Sequence, residues 1–183
     1  MLDIIRNKRD NRHVVKTHNG YKAPDGRTVV LMVGGPASGK SSVRKDRYPN
    51  LPVIDSDAFK AGHPDYDEKN PGALHTWSSL KATEAFYSAL EGSQDFVFDG
   101  TGSNAEKYVS FANKAKESGW TVKALYVRCD VATALKRNAE RARTVSDDVV
   151  REKYQTIEAS WEIISWYVDS MEIVNNGADR RTQ

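Results

Sequence analysis

The residues with the clearest chemical potential are Gly34 to Ser41, Gly-Gly-Pro-Ala-Ser-Gly-Lys-Ser, which match the pattern G-x-x-x-x-G-K-[ST]. In such a loop the backbone N–H groups wrap nucleotide phosphates, and the dipole of the following helix adds positive potential. Lys40 would reach the β- and γ-phosphates, and the Ser41 hydroxyl would bind Mg²⁺. We therefore expect ATP and Mg²⁺ as cofactors, with the nucleotide held by Gly34, Gly35, Pro36, Ala37, Ser38, Gly39, Lys40, Ser41 and Ser42.

Two carboxylates follow the next short apolar run. Asp55 and Asp57 flank Ser56 directly after a predicted strand. Phosphoryl transfer to an alcohol needs one carboxylate to accept the hydroxyl proton and another near Mg²⁺. The pair can supply either, although one or both residues could instead cap the next helix. We expect at least one catalytic aspartate here.

A basic segment, residues 136–143, follows the fourth predicted strand. Arg137 and Arg141 are four residues apart, so a helix over residues 132–141 would place both on one side. Arginines on a mobile lid can neutralise the charge that develops on the γ-phosphate. The alternative is a solvated basic helix face, and the sequence does not say which of Arg137, Arg141 and Arg143 contacts the nucleotide.

A third group, Asp99-Gly100-Thr101-Gly102-Ser103, follows another apolar strand. Its glycines would let a ligand approach closely, so Asp99 and Thr101 are candidate substrate-binding residues, as are Asp55 and Arg143. The alternative of an ordinary turn capped by Ser103 is equally compatible with the sequence. Ser103 and Glu106 also have the spacing of a capping box.

Strands and helices alternate along the whole chain, which predicts an α/β domain with a parallel sheet covered on both faces. Ligands of such sheets lie beyond the carboxyl ends of the strands, where the groups above are found. The predicted strands are residues 28–33, 52–54, 95–99, 122–127 and 171–174. The predicted helices are residues 40–48, 71–91, 104–118 and 132–141, with a long last helix capped by Ser146.

The chain has 183 residues and a net charge of +2, which fits one domain. Residues 1–27 hold seven Lys/Arg and three Asp, a charge of +4, so this basic arm could bind a phosphate backbone. It could equally be a frayed terminus or pack on the sheet, since Val14-Val15 could begin an extra strand. We divide the chain into the arm at 1–27, a kinase-like domain at 28–176 and a tail at 177–183.

The single cysteine, Cys129, excludes an internal disulfide and favours a reducing cytoplasm. No stretch has the length and hydropathy of a membrane span, so we expect no membrane partner. The sequence does not indicate an oligomeric state.

Two families share these motifs. The loop, the segment Val53 to Lys60 with Gly62-His63-Pro64-Asp65-Tyr66, and Phe98 to Gly102 resemble the zeta-toxin family of P-loop kinases, which phosphorylate the sugar of a UDP-linked amino sugar. Gly119 to Val122 and Lys136 to Arg141 are similar to the 5′-kinase domain of phage polynucleotide kinases. The resemblances cover about residues 28–165.

The resemblances imply a five-stranded parallel sheet of order 2-3-1-4-5 with a small arginine-bearing lid. They also imply that Asp57 is the catalytic base and that Arg141 contacts the transferred phosphate. With Lys40 from the loop motif and Arg137 from the basic segment, these are the predicted catalytic residues. The zeta pattern usually has Glu at the position of Asp99 and a basic residue at that of Ser103. With the basic arm, this favours a kinase that phosphorylates a primary hydroxyl of a polynucleotide, either a 5′-hydroxyl or a hydroxymethylated base of phage DNA. A UDP-linked amino sugar is the alternative acceptor, followed by a nucleoside or other small molecule.

Overall fold

A mixed sheet of seven strands forms the centre of the described chain. The structure is a computed structural model that describes residues 26–67, 72–141 and 144–177, together with the backbone of residues 3–7 and 12–16. The strands are β1 (Asp3–Asn7), β2 (Arg12–Lys16), β3 (Thr28–Val33), β4 (Val53–Asp55), β5 (Phe96–Asp99), β6 (Thr121–Arg128) and β7 (Ser170–Asn175).

The order of strands in the sheet is β1-β2-β7-β6-β3-β5-β4. Five strands are parallel, in the order β4-β5-β3-β6-β7. This order corresponds to the predicted 2-3-1-4-5. The α/β class and the predicted sheet order are therefore confirmed. Their carboxyl ends lie at one edge, where Asp99 pairs in register with both Met32 and Asp55.

The first two strands extend the sheet beyond the predicted five. β1 and β2 are antiparallel to each other, and β2 is antiparallel to β7. The extra strand considered at Val14-Val15 is thus present, within the arm that the sequence analysis placed at residues 1–27.

Helices cover the parallel strands on both faces. They are α1 (Lys40–Arg47), α2 (Ser56–Ala61), α3 (His75–Leu90), α4 (Ala105–Glu117), α5 (Val131–Ala139) and α6 (Asp147–Trp166). Alternate residues of β3 face opposite sides: Val29, Leu31 and Val33 pack in a core with α3, α4 and α6. Val30 and Met32 pack in a second core with Val43 of α1. Because β3 is buried on both faces, the loop that follows it has a rigid base.

The long last helix agrees with its predicted periodicity. Five residues at 4-3-4-3 spacing are buried along α6, namely Val150, Tyr154, Ile157, Trp161 and Ile164. No helix in the described part of the chain has the length and apolar character needed to cross a membrane.

Three helix ends differ from the predictions. Helix α3 begins at His75 rather than at Pro71, and Pro71 lies outside the described residues. The N-cap of α4 is Asn104, which accepts from the N–H of Lys107, because the Ser103 hydroxyl is engaged with Thr101. The capping box predicted from Ser103 is therefore wrong.

Helix α5 ends at Ala139 and not at the predicted Arg141. The buried side chain of Asn138 bonds both backbone groups of Val145, donating to its carbonyl at 2.6 Å and accepting from its N–H at 3.1 Å. These bonds bring the chain after the helix back to Asn138, so the helix cannot continue through Arg141.

Candidate active site

The phosphate-binding loop connects β3 to α1. Two of its residues have left-handed backbone conformations, Ala37 with φ of 57° and Gly39 with φ of 89°. The N–H of Gly34 donates to the Thr101 carbonyl at 3.0 Å, which ties the start of the loop to the segment after β5. Ser41 lies in the first turn of α1, next to Lys40.

Lys40 is directed back onto this loop. Its Nζ donates to the carbonyl oxygens of Gly34 at 2.8 Å and Gly35 at 3.3 Å. Burial lowers the pKa of Lys40, and the nearby carboxylates of Asp99 and Asp55 oppose that shift. The charge of Arg141 lowers the pKa of Lys40 further, and that of Asp57 opposes the shift.

The loop is supported from behind by two residues that the sequence analysis missed. The Tyr154 hydroxyl donates to the Pro36 carbonyl at 3.0 Å, and Asn176 Nδ2 donates to the Ser38 carbonyl at 2.7 Å. The contacts are close: a Cβ at Gly35 would overlap the Tyr154 ring, and one at Gly39 would overlap Asn176 Nδ2. These glycines therefore admit the supporting side chains.

Two aspartates stand at the ends of neighbouring strands. Asp99 is buried and pairs with Arg44 Nε at 3.3 Å, and Asp55 is its register partner on β4. Burial raises the pKa of Asp55, and the negative charge of Asp99 adds to this shift. The hydrogen bond that Asp55 accepts from the Asp57 N–H lowers the pKa in part. Sequence gave no indication of the Arg44–Asp99 pair, although Arg44 is one helical turn after Lys40.

Asp55 is the N-cap of α2, because its Oδ1 accepts from the backbone N–H of Asp57 at 2.8 Å. The capping alternative considered for this pair is therefore realised at Asp55. Asp57 itself lies in the first turn, with its side chain 57% exposed and an ion pair to Lys60 at 2.9 Å. Of the two carboxylates, Asp57 is the more exposed.

Thr101 contributes through its backbone and its hydroxyl. Its carbonyl holds Gly34, and its Oγ1 lies 3.0 Å from the Ser103 hydroxyl and accepts from the Ser103 N–H at 3.3 Å. Gly102 adopts φ of 74°, and a Cβ there would lie 2.6 Å from Val33. The glycine is thus required by close packing on β3.

The three arginines of the basic segment are in different surroundings. Arg137 Nη1 donates to the Asn176 carbonyl at 2.8 Å, so it braces the residue that supports the loop. Arg141 is exposed, follows the end of α5, and has its N–H bonded to the Asn138 carbonyl. The prediction that both lie on one side of a helix is therefore wrong, because the helix ends between them. Arg143 lies outside the described residues.

The oxygen donors at this edge have the chemistry that Mg²⁺ prefers. Mg²⁺ takes oxygen ligands, keeps several waters and is commonly held by one or two carboxylates with substrate phosphates. The Ser41 hydroxyl and the neighbouring carboxylates of Asp55 and Asp99 provide such donors. The residues present therefore fit a magnesium ion bound with a nucleotide.

The fold and the loop together define the class of P-loop kinase-like α/β proteins. A family model described as Zeta toxin matches residues 11–180, and the chain belongs to this family. A "Toxin zeta" of Streptococcus pyogenes is 29% identical over 149 residues, which are 75% of this chain and 52% of that protein. The chain thus spans about half the length of the curated relatives it matches.

Solved structures share the fold at low sequence identity. A chain from the PezAT chromosomal toxin-antitoxin system of Streptococcus pneumoniae superimposes with a TM-score of 0.63 at 15% identity, covering 84% of this chain and 70% of that one. A chain of the Pnkp1/Rnl/Hen1 RNA repair complex gives a TM-score of 0.60 at 13% identity, covering 85% and 50%. These likenesses support the fold alone.

Proposed function

We propose that this protein is an ATP-dependent kinase that transfers the γ-phosphate to an alcohol, with Asp57 as the base. One observation carries the proposal: the phosphate loop with Lys40 follows β3 at the carboxyl edge of the sheet where Asp99 and Asp55 pair in register, and the charges of both act on Lys40. Phosphoryl transfer needs this combination of phosphate cradle, carboxylates and cations.

The chain's own groups would hold the nucleotide. Backbone N–H groups of the loop and the first turn of α1 bind the phosphates, and Lys40 exchanges its bonds to the loop carbonyls for bonds to phosphate oxygens. Ser41, with Asp99 and Asp55 close by, would hold Mg²⁺, which neutralises charge on the phosphates when it is bound.

Asp57 would act on the acceptor. Its exposed carboxylate accepts the proton of the acceptor hydroxyl as that oxygen forms a bond to the γ-phosphorus. The bond from the γ-phosphorus to the bridging oxygen breaks at the same time, and ADP leaves with its electron pair. Asp55 would not compete as base, because its Oδ1 is committed to capping α2.

Arg141 is the arginine that we assign to the transferring phosphoryl group. Its charge acts on Lys40, and its side chain is exposed beyond the end of α5. Arg137 is committed to the Asn176 carbonyl, so we assign it to support of the loop from the side opposite the nucleotide.

For the acceptor we propose a primary hydroxyl of a polynucleotide, a 5′-hydroxyl or a hydroxymethylated base. Residues 1–27 carry a net charge of +4, and their strand β2 begins at Arg12 opposite Val174, near the end of β7 that leads to Asn176. The start of β2, in the basic arm, thus lies at the carboxyl edge of the parallel strands, where the phosphate loop also lies. Ser103 is neutral and bonded to Thr101, where the resembling sugar kinases usually have a basic residue.

A second candidate acceptor is a UDP-linked amino sugar. Membership of the Zeta toxin family favours it, because the resemblance implies that substrate. Both acceptors would present an alcohol to the same carboxylate, so the two candidates share the proposed chemistry and differ in what binds the rest of the acceptor.

Label transfer from γ-labelled ATP tests the proposal. The acceptors are single-stranded DNA, RNA, DNA with hydroxymethyl pyrimidines, free nucleosides and UDP-linked amino sugars. We expect label in a polynucleotide, with acceptor affinity that falls steeply as salt is added, because phosphate contacts release counterions. Labelling of the UDP-sugar alone would assign the second candidate, and ATP turnover without transfer to any acceptor would contradict the kinase.

A further inference from the structure

We infer that Lys60 is a positioning residue for the base Asp57, an inference that rests on the proposed function. Lys60 and Asp57 form an ion pair across one turn of α2, with Lys60 Nζ 2.9 Å from Asp57 Oδ1. The pair is asymmetric: the Lys60 side chain is 7% exposed, whereas that of Asp57 is 57% exposed. The cation is therefore fixed inside the protein and the carboxylate is reachable from outside.

Such burial of a lysine is unusual and calls for a physical reason. Lysine is rarely buried unless it is paired, because removal of the ammonium from water is costly. An ordinary surface pair across a helix turn leaves both groups in water, as for Lys81 and Glu84 of α3, which are 43% and 53% exposed. That pair has the same i,i+3 spacing and a similar distance of 2.7 Å, so it provides a matched comparison.

The location of the pair suggests what it does. Helix α2 has only six residues. Its first turn is fixed by the N-cap Asp55, whose Oδ1 accepts a hydrogen bond from the Asp57 N–H. The backbone of Asp57 is thus held by Asp55 and its carboxylate by Lys60. A carboxylate held at two points keeps one orientation toward the acceptor, which a general base requires.

The charge of Lys60 attracts the Asp57 carboxylate, because Lys60 Nζ lies 2.9 Å from Asp57 Oδ1 and is held inside the protein. Other charges act at this place as well: Lys40 of α1, Asp55 of β4 and His75 of α3 all interact with Asp57. Burial lowers the pKa of His75, and Lys60 and then Lys153 lower it further.

The step itself leaves Lys60 charged. The acceptor hydroxyl loses its proton to Asp57 while its oxygen bonds to the γ-phosphorus, and the bond to ADP breaks. Asp57 becomes neutral, so the ammonium of Lys60 is left beside it without the opposing charge. Return of the proton to water then restores the ion pair before the next turnover.

The test replaces Lys60 with methionine, which keeps the buried stem and removes the charge, and with arginine, which keeps the charge. Lys81→Met is the matched control. For Lys60→Met we expect transfer to fall on the order of 10- to 100-fold with ATP affinity retained, as for a displaced catalytic group. Lys60→Arg should recover part of the rate, and Lys81→Met should change none of these values.

A further measurement separates positioning from a purely structural contribution. Lys60→Met should add little to the loss caused by Asp57→Asn, because the two residues act as one unit.

The outcomes distinguish this inference from the proposed function. Additive losses in the double variant, or equal transfer rates in Lys60→Arg and Lys60→Met, would overturn the assignment of Lys60 even if the protein is a kinase. A lower melting temperature with an unchanged transfer rate below it would likewise reduce Lys60 to a structural residue. Failure of the proposed function appears separately, as absence of transfer by the unaltered protein to every acceptor.

Discussion

The phosphate loop is held from behind by partners on other elements, whereas α2 is a six-residue helix whose key carboxylate faces outward. The loop is fixed by Tyr154 of α6, Asn176 after β7 and the Thr101 carbonyl after β5. Asp57 is oriented by its own short helix, through Asp55 and Lys60. The proposed nucleotide side is thus fixed by partners far along the chain, whereas the proposed base is oriented by residues of its own helix and N-cap.

The largest expected effect concerns the loop. Lys40→Ala should lower phosphoryl transfer by roughly 1,000-fold, because a preorganised cation that contacts the transferring phosphates is lost. The melting temperature should stay close to that of the parent, since the contacts of Tyr154 and Asn176 go to loop carbonyls. Lys45→Ala, on the exposed side of α1, is the control. A loss of transfer matched by unfolding would show that Lys40 itself holds the loop together.

The two described arginines of the basic segment should affect different quantities: Arg141 the rate of transfer, and Arg137 the support of the phosphate loop. Arg141→Met should lower kcat by about 100-fold with little change in ATP affinity, as expected of a contact made in the transition state. Arg137→Met should instead weaken ATP binding and lower the melting temperature, because it releases the Asn176 carbonyl. Single-turnover rates and calorimetric ATP titrations measure both, with Arg151→Met as control. Equal losses of kcat and ATP affinity in Arg141→Met would make it a ground-state phosphate contact.

A smaller effect is expected behind the loop. Asn176→Ala removes a hydrogen bond to the Ser38 carbonyl and should weaken ATP binding by about 1 kcal/mol, or roughly fivefold. The acceptor KM should not change, because Asn176 supports only the nucleotide side. Asn113→Ala, on the exposed surface of α4, is the control for the calorimetric titration. A change confined to acceptor KM would contradict the separation of the two sides.

The smallest effect concerns stability on the acceptor side. Because burial raises the pKa of Asp55, the folded protein binds this proton more tightly than the unfolded chain does. Stability from this group is therefore lost as pH rises through that pKa. Asp55→Asn keeps an N-cap acceptor but cannot ionise, so it should melt at a higher temperature than the parent at pH 7. The difference should vanish below about pH 4, and a parent that is more stable at pH 7 would contradict the sign.

The sequence was sufficient for the parts of the molecule that depend on local pattern. The loop from Gly34 to Ser41 follows from a short motif, and the parallel strands follow from apolar runs that alternate with helices. The strand order came from resemblance, because pattern alone does not say which strands are neighbours. The burial of α6 followed from its 4-3-4-3 spacing.

The parts that were missed depend on contacts between residues far apart in the chain. Tyr154 and Pro36 are 118 residues apart, and Asn176 and Ser38 are 138 apart, so no local spacing connects them. The end of α5 was misplaced because Asn138, a residue compatible with a helix, bonds the backbone of Val145 instead. Lys60 lies three residues from Asp57, but no sequence pattern indicates that one side chain is buried and the other exposed.

The central claim is that Asp57 works on the acceptor while the loop holds the nucleotide. The most direct measurement compares Asp57→Asn with Asp55→Asn, the same chemical change two residues apart, for transfer rate and for ATP affinity. Asp57→Asn should lower the transfer rate by about 100-fold or more, as expected for loss of a general base, with ATP affinity unchanged. Asp55→Asn should lower the rate less than Asp57→Asn does, because Asn still caps α2 and keeps one side-chain oxygen at the proposed magnesium site. A tolerated Asp57→Asn with an inactive Asp55→Asn would contradict the account.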